Sequence, residues 1–148
     1  MIEKLRKLES EGLITLRPHN DLPLLIANYT PDVQYDRLWD EHPLLKQCRG
    51  LIVDEDGAVI ARPFPKFFNY EEHLEFDDLE DIPNEPFEVY EKMDGSLGIV
   101  FHYRKKWRVA TRGSFHSDQA DYAMENLLPK YDISNLDKSK TYLFEIIY

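Results

Sequence analysis

The sequence contains a single cysteine, Cys48, so it cannot form an internal disulfide. This is typical of a protein from a reducing compartment, and we predict a cytoplasmic location. We expect Cys48 itself to be a small buried hydrophobic residue beside a strand. No apolar run reaches the length that a membrane-spanning helix needs, so no membrane association is expected. The first residues alternate charged and apolar side chains, unlike a secretory signal.

Several signatures of common active sites are also absent. The sequence has no Walker A loop and no Rossmann glycine fingerprint. Its five histidines do not stand at metal-ligand spacing from one another or from Cys48. There is no serine-nucleophile elbow. These absences argue against a P-loop enzyme, a dinucleotide-binding dehydrogenase, a zinc protein and a serine hydrolase.

What the sequence does contain is enough for one folded domain. It has 148 residues, of which 43% are hydrophobic and 13% aromatic. The formal net charge of -10 argues against non-specific binding of nucleic acid by the whole surface, although a local basic cleft would still bind RNA. We find no internal repeat and no domain boundary.

Hydrophobic periodicity predicts an α+β fold with mainly antiparallel sheets and flanking helices. We expect Tyr35, Leu38 and Trp39 to be core residues, and the last strand to be central in its sheet. Prolines keep residues 62–70 extended, and the acidic stretch 71–86 is predicted to be a solvated link. The predicted strands are residues 13–16, 24–29, 49–54, 58–61, 87–90, 97–103, 107–111 and 141–148. The predicted helices are residues 1–11, 35–39 and 117–128, the last with Ser117 as its N-cap.

The most informative stretch is Tyr-Glu-Lys-Met-Asp-Gly-Ser at residues 90–96. Lys92 follows a predicted strand, and Asp94-Gly95 is a favoured hairpin-turn dipeptide. Partial desolvation or neighbouring cations lower the pKa of an amine and turn it into a nucleophile. The alternative is a polar hairpin whose lysine is simply solvated.

Glu145 is a second unusual residue, because it lies inside an apolar strand candidate. With a period of two it shares a face with Leu143 and Ile147. A carboxylate on such a face is costly to bury without a partner. It either accepts a hydrogen bond from a ligand hydroxyl or lies wet at a sheet edge.

Three further cations, Arg49, Lys66 and Arg112, stand at strand ends. Each has an ordinary explanation as an ion-pair partner, an edge-strand charge or a surface charge. If they converge on Lys92, they describe a polyphosphate site in which cations neutralise charge on a leaving phosphate.

These residues resemble a known family. Residues 92–96, Lys-Met-Asp-Gly-Ser, resemble motif I (Lys-x-Asp-Gly) of the covalent nucleotidyltransferases, which are the DNA ligases, RNA ligases and mRNA capping enzymes. Four more matches stand in family order: Cys48-Arg49-Gly50, residues 62–70, Arg112-Gly113-Ser114 and Phe144-Glu145. The ordered set, spanning residues 24–148, is similar to the bacteriophage T-even RNA ligase 1 family.

The resemblance implies an ATP-dependent RNA ligase that joins 3'-hydroxyl and 5'-phosphate RNA ends through a lysyl-AMP intermediate with Mg2+. The sequence does not reveal which RNA is joined, and tRNA is one candidate. Lys92 would be the nucleophile, Asp94 would lie near the metal, and Glu145 would hold the ribose hydroxyls. The other ATP-binding residues that the resemblance implies are Arg49, Lys66 and Arg112 for the phosphates, and Tyr29 and Phe68 beside the nucleotide.

One departure from the family pattern is important. In the family a Glu-Gly-x-Val and a Lys-x-Lys motif follow Phe144-Glu145, and neither follows that pair in these 148 residues. We therefore expect residues 1–148 to be the N-terminal part of the adenylyltransferase domain of a larger ligase, and to react with ATP slowly or not at all. Two alternatives stay open: a DNA ligase or capping-type enzyme, and a non-catalytic ATP- or RNA-binding module.

Overall fold

A computed structural model describes residues 1–76 and 79–147 as two antiparallel sheets with short helices packed on them. The first sheet has strand order β1-β2-β3-β4, and the second has order β6-β5-β7. The strands are β1 (Ile14–Pro18), β2 (Leu24–Tyr29), β3 (Arg49–Asp54), β4 (Val59–Ala61), β5 (Ser96–Tyr103), β6 (Lys106–Thr111) and β7 (Tyr142–Ile146). This confirms the predicted α+β class.

The helices are short and lie at the sheet faces and ends. They are α1 (Ile2–Ser10), α2 (Pro31–Asp36), α3 (Leu44–Gln47), α4 (Tyr70–Glu75) and α5 (Asp118–Tyr122). A π-helical segment, Ala123–Leu127, continues α5, and 3-10 turns lie at Leu79–Asp81 and Leu128–Lys130. The Ser117 hydroxyl caps α5 by accepting the N–H of Ala120 at 3.1 Å, as predicted. None of the described helices combines the length and apolar character needed to cross a membrane.

Both faces of the central strands β2 and β3 are buried, which explains why these strands read as nearly continuous apolar runs. Leu25 and Leu51 pack with α1 on one face, while Ile26 and Ile52 pack against Phe101 of the second sheet on the other. Each fully buried Leu or Ile side chain contributes about 1.5–3 kcal/mol of transfer free energy. Two layers of buried side chains, one beneath α1 and one between the sheets, therefore hold the first sheet in place.

The predicted hairpin around Lys92 is wrong. Residues 87–90 form no strand, and Phe87 and Val89 are almost fully exposed. The reason is that β5 already has β6 on one side and β7 on the other, so no edge of β5 is left to pair with the preceding segment. Local turn chemistry favoured a hairpin that the tertiary pairing does not allow.

The last strand lies where it was predicted, but it is not a central strand of its sheet. β7 pairs only with β5 in the described sheet and lies at its edge, not at its centre. Its apolar side chains pack on β5 and the helical segment instead of on a second neighbour. The predicted strand extended to Tyr148, which lies outside the described residues.

The acidic link 71–86 contains two elements that we did not predict, most of α4 and the 3-10 turn at Leu79–Asp81. α4 begins within the extended stretch, and its N-terminus has a capping box in which the Glu72 carboxylate accepts the Asn69 N–H at 2.8 Å. The Asn-x-x-Glu spacing is a readable signal that the acidic composition obscured. Asp77 and Asp78 of this link lie outside the described residues.

The predicted core around residues 35–39 is partly right. Trp39 is buried, with 3% of its surface exposed, and Leu38 is partly buried. Tyr35 is 89% exposed, so its core assignment is wrong: α2 begins at Pro31, four residues earlier than expected, and this turns Tyr35 outward. Cys48 is buried as predicted, and burial raises the pKa of its thiol to about 12.

Candidate functional site

Five side chains form one connected group at an end of the first sheet, which we call the cationic–aromatic cluster: Tyr29, Trp39, Lys66, Phe68 and Arg112. The Arg112 guanidinium carbon lies 4.8 Å from the centre of the Tyr29 ring. Tyr29 meets Trp39 edge to face at 4.8 Å, and Trp39 meets Phe68 at 6.0 Å. Lys66 Nζ lies 4.9 Å from the Phe68 ring and 5.9 Å from Trp39. Four of these five residues were predicted from the sequence as site residues.

Backbone hydrogen bonds hold the aromatic side of this cluster. Tyr29 ends β2, and its N–H donates to the Cys48 carbonyl at 2.7 Å. The Lys66 N–H donates to the Lys46 carbonyl at 2.7 Å, which fixes the extended stretch beside α3. Trp39 fills the space between Tyr29 and Phe68. We had predicted Trp39 only as a core residue, because nothing in the sequence indicates which rings it joins.

Arg112 is held from the first sheet although it follows β6 of the second. The Asn28 side-chain amide donates to the Arg112 carbonyl at 2.8 Å. Gly50 has φ +86°, and a Cβ there would lie 2.8 Å from Ile99 Cδ1 and 3.4 Å from Arg112 Cα. Glycine is therefore required, both for the backbone conformation and for the close approach. Sequence reasoning did not find Asn28, since its role depends on a contact 84 residues away.

Arg49 lies at the same end of the sheet as the cluster. It opens β3 opposite Asn28, where the β2–β3 register has an irregularity between Ala27 and Asn28. Its guanidinium carbon lies 5.4 Å from the Phe67 ring. The three cations predicted to handle phosphate therefore gather around one sheet end, in a chain whose overall charge is strongly negative.

Lys92 and Asp94 make no described contact with those three cations. Both are exposed, on the irregular segment that runs into β5. Across residues 1–76 and 79–147, neither side chain makes a hydrogen bond or an ion pair. The expected desolvation of the lysine is thus not present, and in this structure the solvated alternative describes Lys92. The following residue, Gly95, packs directly against the Ile146 carbonyl of β7.

Glu145 is exposed on the edge strand β7, directly opposite Leu97 of β5. The wet-edge alternative therefore describes its present surroundings. The strand ends are nevertheless adjacent: Lys92 precedes β5, Arg112 follows β6 and Glu145 lies near the end of β7. Neighbouring strands run about 4.8 Å apart, so the Arg112 and Glu145 backbones come to the end of the sheet at which β5 begins, and Lys92 lies on the segment that leads into that end.

A mostly apolar hollow lies elsewhere, on the second sheet. It has a volume of about 330 Å³ and separates the second sheet from the helical segment and the chain that follows it. Its walls are mostly apolar, with Val100, Val109 and Leu127 among them, and Glu145 is on its rim. Because it offers no cation, it does not suit a phosphate group.

The described residues contain no group of three or more His, Cys, Asp and Glu side chains placed to hold a metal. Mg2+ typically uses only one or two carboxylates and takes its remaining ligands from substrate phosphates and water. A lone, unpaired Asp94 carboxylate fits that donor set, which a zinc site would not accept.

A histidine contact supports the turn that carries Arg112. The His19 ring lies 5.0 Å from Phe115 and 4.8 Å from His116. His19 Nδ1 accepts the N–H groups of Asp21 and Leu22 at 3.0 and 3.2 Å. The pKa of His19 is lowered, first by burial and then by the positive charges of His116 and Arg108, while Asp21 opposes the shift.

Comparison with known proteins identifies the family. Residues 47–146 match the model of a family described as RNA ligase. A putative bifunctional polynucleotide kinase/RNA ligase from Autographa californica nuclear polyhedrosis virus is 35% identical over 108 residues, covering 68% of this chain and 15% of that protein. A putative RNA ligase from Thermovibrio ammonificans is 28% identical over 149 residues, covering 97% of this chain and 38% of that protein.

A third relative, the RNA ligase of Rhodothermus phage RM378, is 25% identical over 187 residues, covering 99% of this chain and 40% of that protein. The chain thus spans less than half the length of each of these three relatives. No solved structure matches the chain. Of the predicted site residues, only Tyr29 lies outside the matched range 47–146.

Proposed function

This chain belongs to the RNA ligase family, which confirms the resemblance seen in its motifs, and from that premise we propose that it forms part of the adenylyltransferase domain of an ATP-dependent RNA ligase. The proposed fold is the nucleotidyltransferase type, and the proposed substrates are ATP and RNA ends with a 5'-phosphate and a 3'-hydroxyl. The single buried cysteine supports a cytoplasmic setting. The observation that carries the proposal is the cationic–aromatic cluster beside the strand that follows Lys92.

In the proposed first step, the neutral Lys92 amine attacks the α-phosphorus of ATP. A P–N bond forms, the bond to the bridging oxygen breaks, and pyrophosphate leaves while the amine loses its proton to solvent. The resulting lysyl-AMP passes its AMP to the 5'-phosphate of RNA and regenerates the amine. The 3'-hydroxyl then attacks that activated phosphate, which forms the phosphodiester and releases AMP.

The cluster supplies what this step requires electrostatically. Negative charge grows on the leaving pyrophosphate, and preorganised cations stabilise it without further reorganisation. Arg112 and Lys66 are already held against the Tyr29 and Phe68 rings, and Arg49 lies at the same sheet end. Arg112 can also grip a phosphate bidentately.

The nucleotide is proposed to bind where the two sheets meet. The Tyr29 and Phe68 rings offer apolar faces beside the cations, and Glu145 comes from the adjacent strand end to accept ribose hydroxyls. Lys92 and Asp94 would approach when the nucleotide binds, because their segment has no neighbouring strand to hold it away. Asp94 would then help to hold Mg2+, which screens phosphate charge.

The proposal is tested by looking for AMP on Lys92. The 148-residue chain is incubated at length with α-labelled ATP and MgCl2, and adducts are mapped by mass spectrometry. Because no Lys-x-Lys motif follows Glu145 in these 148 residues, we expect weak labelling, confined to Lys92 and absent in Lys92→Arg. Lys105→Ala, at the exposed β5–β6 turn, is the matched control and should label normally.

Binding of ATP is measured in parallel by the shift in melting temperature. We expect a shift in the unmodified chain and in Lys92→Arg, and a smaller one in Arg112→Ala. Binding without any adduct would favour the non-catalytic nucleotide-binding module. A chain that neither binds ATP nor becomes labelled would contradict the proposal.

A further inference from the structure

We propose that Phe64 and Phe67 form a stacking strip for single-stranded RNA, an inference that rests on the proposed RNA ligase function. Both rings are unusually exposed for phenylalanine, Phe64 at 61% and Phe67 at 60%. They stand on the extended stretch 62–69, which belongs to no helix or regular strand. Lys66 and Phe68 of the same stretch belong to the cationic–aromatic cluster, so the two exposed rings stand directly beside that cluster along the chain.

The strip is held in place before any ligand arrives. The Arg62 N–H donates to the Thr141 hydroxyl at 2.9 Å, and the Lys66 N–H donates to the Lys46 carbonyl at 2.7 Å. Pro63 and Pro65 restrict the backbone between these two anchors. Exposed rings on a restrained backbone lose little entropy when another flat group stacks on them.

The charge around the strip favours a polyanion. Residues 62–70 contain two cations, Arg62 and Lys66, and no acid, although the whole chain has a net charge of -10. The Arg49 guanidinium lies 5.4 Å from the Phe67 ring, so one exposed ring already has a cation beside it. Acidic residues begin only at Glu71, where the strip ends.

The spacing favours a strand of RNA over a mononucleotide. Two residues that are three positions apart on an extended chain are separated by up to about 10 Å, so one base covers only one of the two rings. Successive bases of a single strand can reach both, while the neighbouring cations contact the phosphates. Aromatic platforms beside a basic track are the general way in which proteins bind single strands without reading their sequence.

The test is fluorescence anisotropy of the 148-residue chain with a labelled oligouridylate of about 12 nucleotides, a length that covers a typical single-strand site. The double variant Phe64→Leu/Phe67→Leu keeps apolar volume but removes the aromatic faces, and we expect it to weaken binding at least about fivefold. Phe64→Tyr/Phe67→Tyr should bind within about twofold of the unmodified chain, because stacking is retained. Tyr131→Leu, which alters another exposed ring (67%), should change nothing.

The dependence of binding on salt separates stacking from charge. The leucine variant should keep the slope of log affinity against log salt, because its phosphate contacts are intact. Unchanged melting temperatures would show that all variants fold. The proposal is overturned if the leucine variant binds RNA as well as the unmodified chain, if the chain binds no RNA at low salt, or if ATP at modest concentration displaces the RNA completely. If the two rings contact another protein instead of RNA, the leucine variant should bind RNA as well as the unmodified chain does, which is the first of these results.

Failure of the strip and failure of the ligase proposal are distinguishable. The Lys92 adduct assay contains no RNA. If the chain forms the adduct but its RNA affinity does not change in the Phe64 and Phe67 variants, only the stacking-strip proposal is contradicted. If the chain binds RNA through the two rings but does not bind ATP, only the ligase proposal is contradicted.

Discussion

The cationic–aromatic cluster and the Lys92 segment lie at neighbouring strand ends but are built in opposite ways. The cluster is held by a buried indole, by a side-chain hydrogen bond from Asn28 and by a glycine that permits close approach. The segment before β5 has exposed side chains and no strand beside it. The groups proposed to hold phosphate are thus preorganised, whereas the proposed nucleophile is not.

This contrast follows from what each group is proposed to do. Stabilising charge on a leaving group demands fixed dipoles and cations, because their reorganisation would cost free energy during the reaction. A nucleophile that accepts AMP from one substrate and delivers it to another has to serve two geometries. A free segment can provide both, and binding of the nucleotide supplies the ordering.

The largest expected effect comes from Trp39→Ala, which removes the ring at the centre of the cationic–aromatic cluster. Truncating a buried Trp leaves a cavity and costs about 3–5 kcal/mol of unfolding free energy, measured by urea denaturation. Tyr35→Ala is the matched control, since its 89% exposed ring should cost no more than about 0.5 kcal/mol. Equal costs for the two variants would contradict the contrast between buried cluster and exposed surface.

Gly50→Ala is expected to be the next most damaging change. Alanine is strained by about 1–2 kcal/mol at a left-handed φ, and its Cβ would also press on Ile99 and on the backbone of Arg112. Gly113→Ala is the matched glycine, because a Cβ there meets nothing within 4 Å. Denaturation of both variants should show a loss only at Gly50, accompanied by weaker ATP protection. Similar losses at both glycines would show that the close approach at Gly50 is not the cause.

Asn28→Ala should cost about 0.5–1.5 kcal/mol, the usual net value of one hydrogen bond. The cost should be at the low end of this range, because the side-chain oxygen Oδ1 of Asn28 is itself buried with no partner among the described residues and is removed by the same substitution. Lys92→Ala serves as the comparison and should leave stability unchanged, since its side chain is exposed and makes no described contact. If Lys92→Ala proved the more destabilising, the segment before β5 would have to be ordered in solution.

The smallest effect is expected from pH, acting on the turn beside Arg112. The pKa of His19 is lowered below its ordinary value of 6.5 in the folded chain, so the unfolded chain takes up the proton first as the pH falls. The contribution of His19 to the free energy of unfolding is therefore fully present above pH 6.5. It declines as the pH falls below 6.5, until His19 of the folded chain is protonated as well. His116, Arg108 and Asp21 are the charged groups that act on this ring.

Unfolding free energies measured between pH 6.5 and about 5 test this directly. His19→Gln should flatten the decline, whereas His42→Gln, in the loop before α3, should not. If the unfolding free energy of His19→Gln falls with pH as steeply as that of the unmodified chain, His19 is not the cause of the decline.

Most of the fold was predictable because its elements are locally consistent. Alternating and continuous apolar runs identified β1 to β6, and a serine followed by an amphipathic pattern identified α5. The failures were decisions about pairing. Asp94-Gly95 is a good hairpin turn, but the positions on both sides of β5 were already taken, and no local pattern reveals that competition.

The candidate site divides in the same way. Motif order was enough to name Arg49, Lys66, Phe68 and Arg112, and the structure brings them to one sheet end. The roles of Lys92, Asp94 and Glu145 remain predictions, because their side chains are exposed and make no described contact with that group. Asn28 was missed, and Gly50 was noted only within a motif, since each acts on Arg112 across a gap of more than sixty residues along the chain.

The sequence by itself determined the family, the α+β class and the identity of the charged residues, since these depend on motif order and on local periodicity. Only the tertiary structure decided which of those charges are held in place and which are free. The physical reason is that strand pairing and burial are set by long-range competition for sheet edges and core volume. A residue's neighbours in the chain do not record the outcome of that competition.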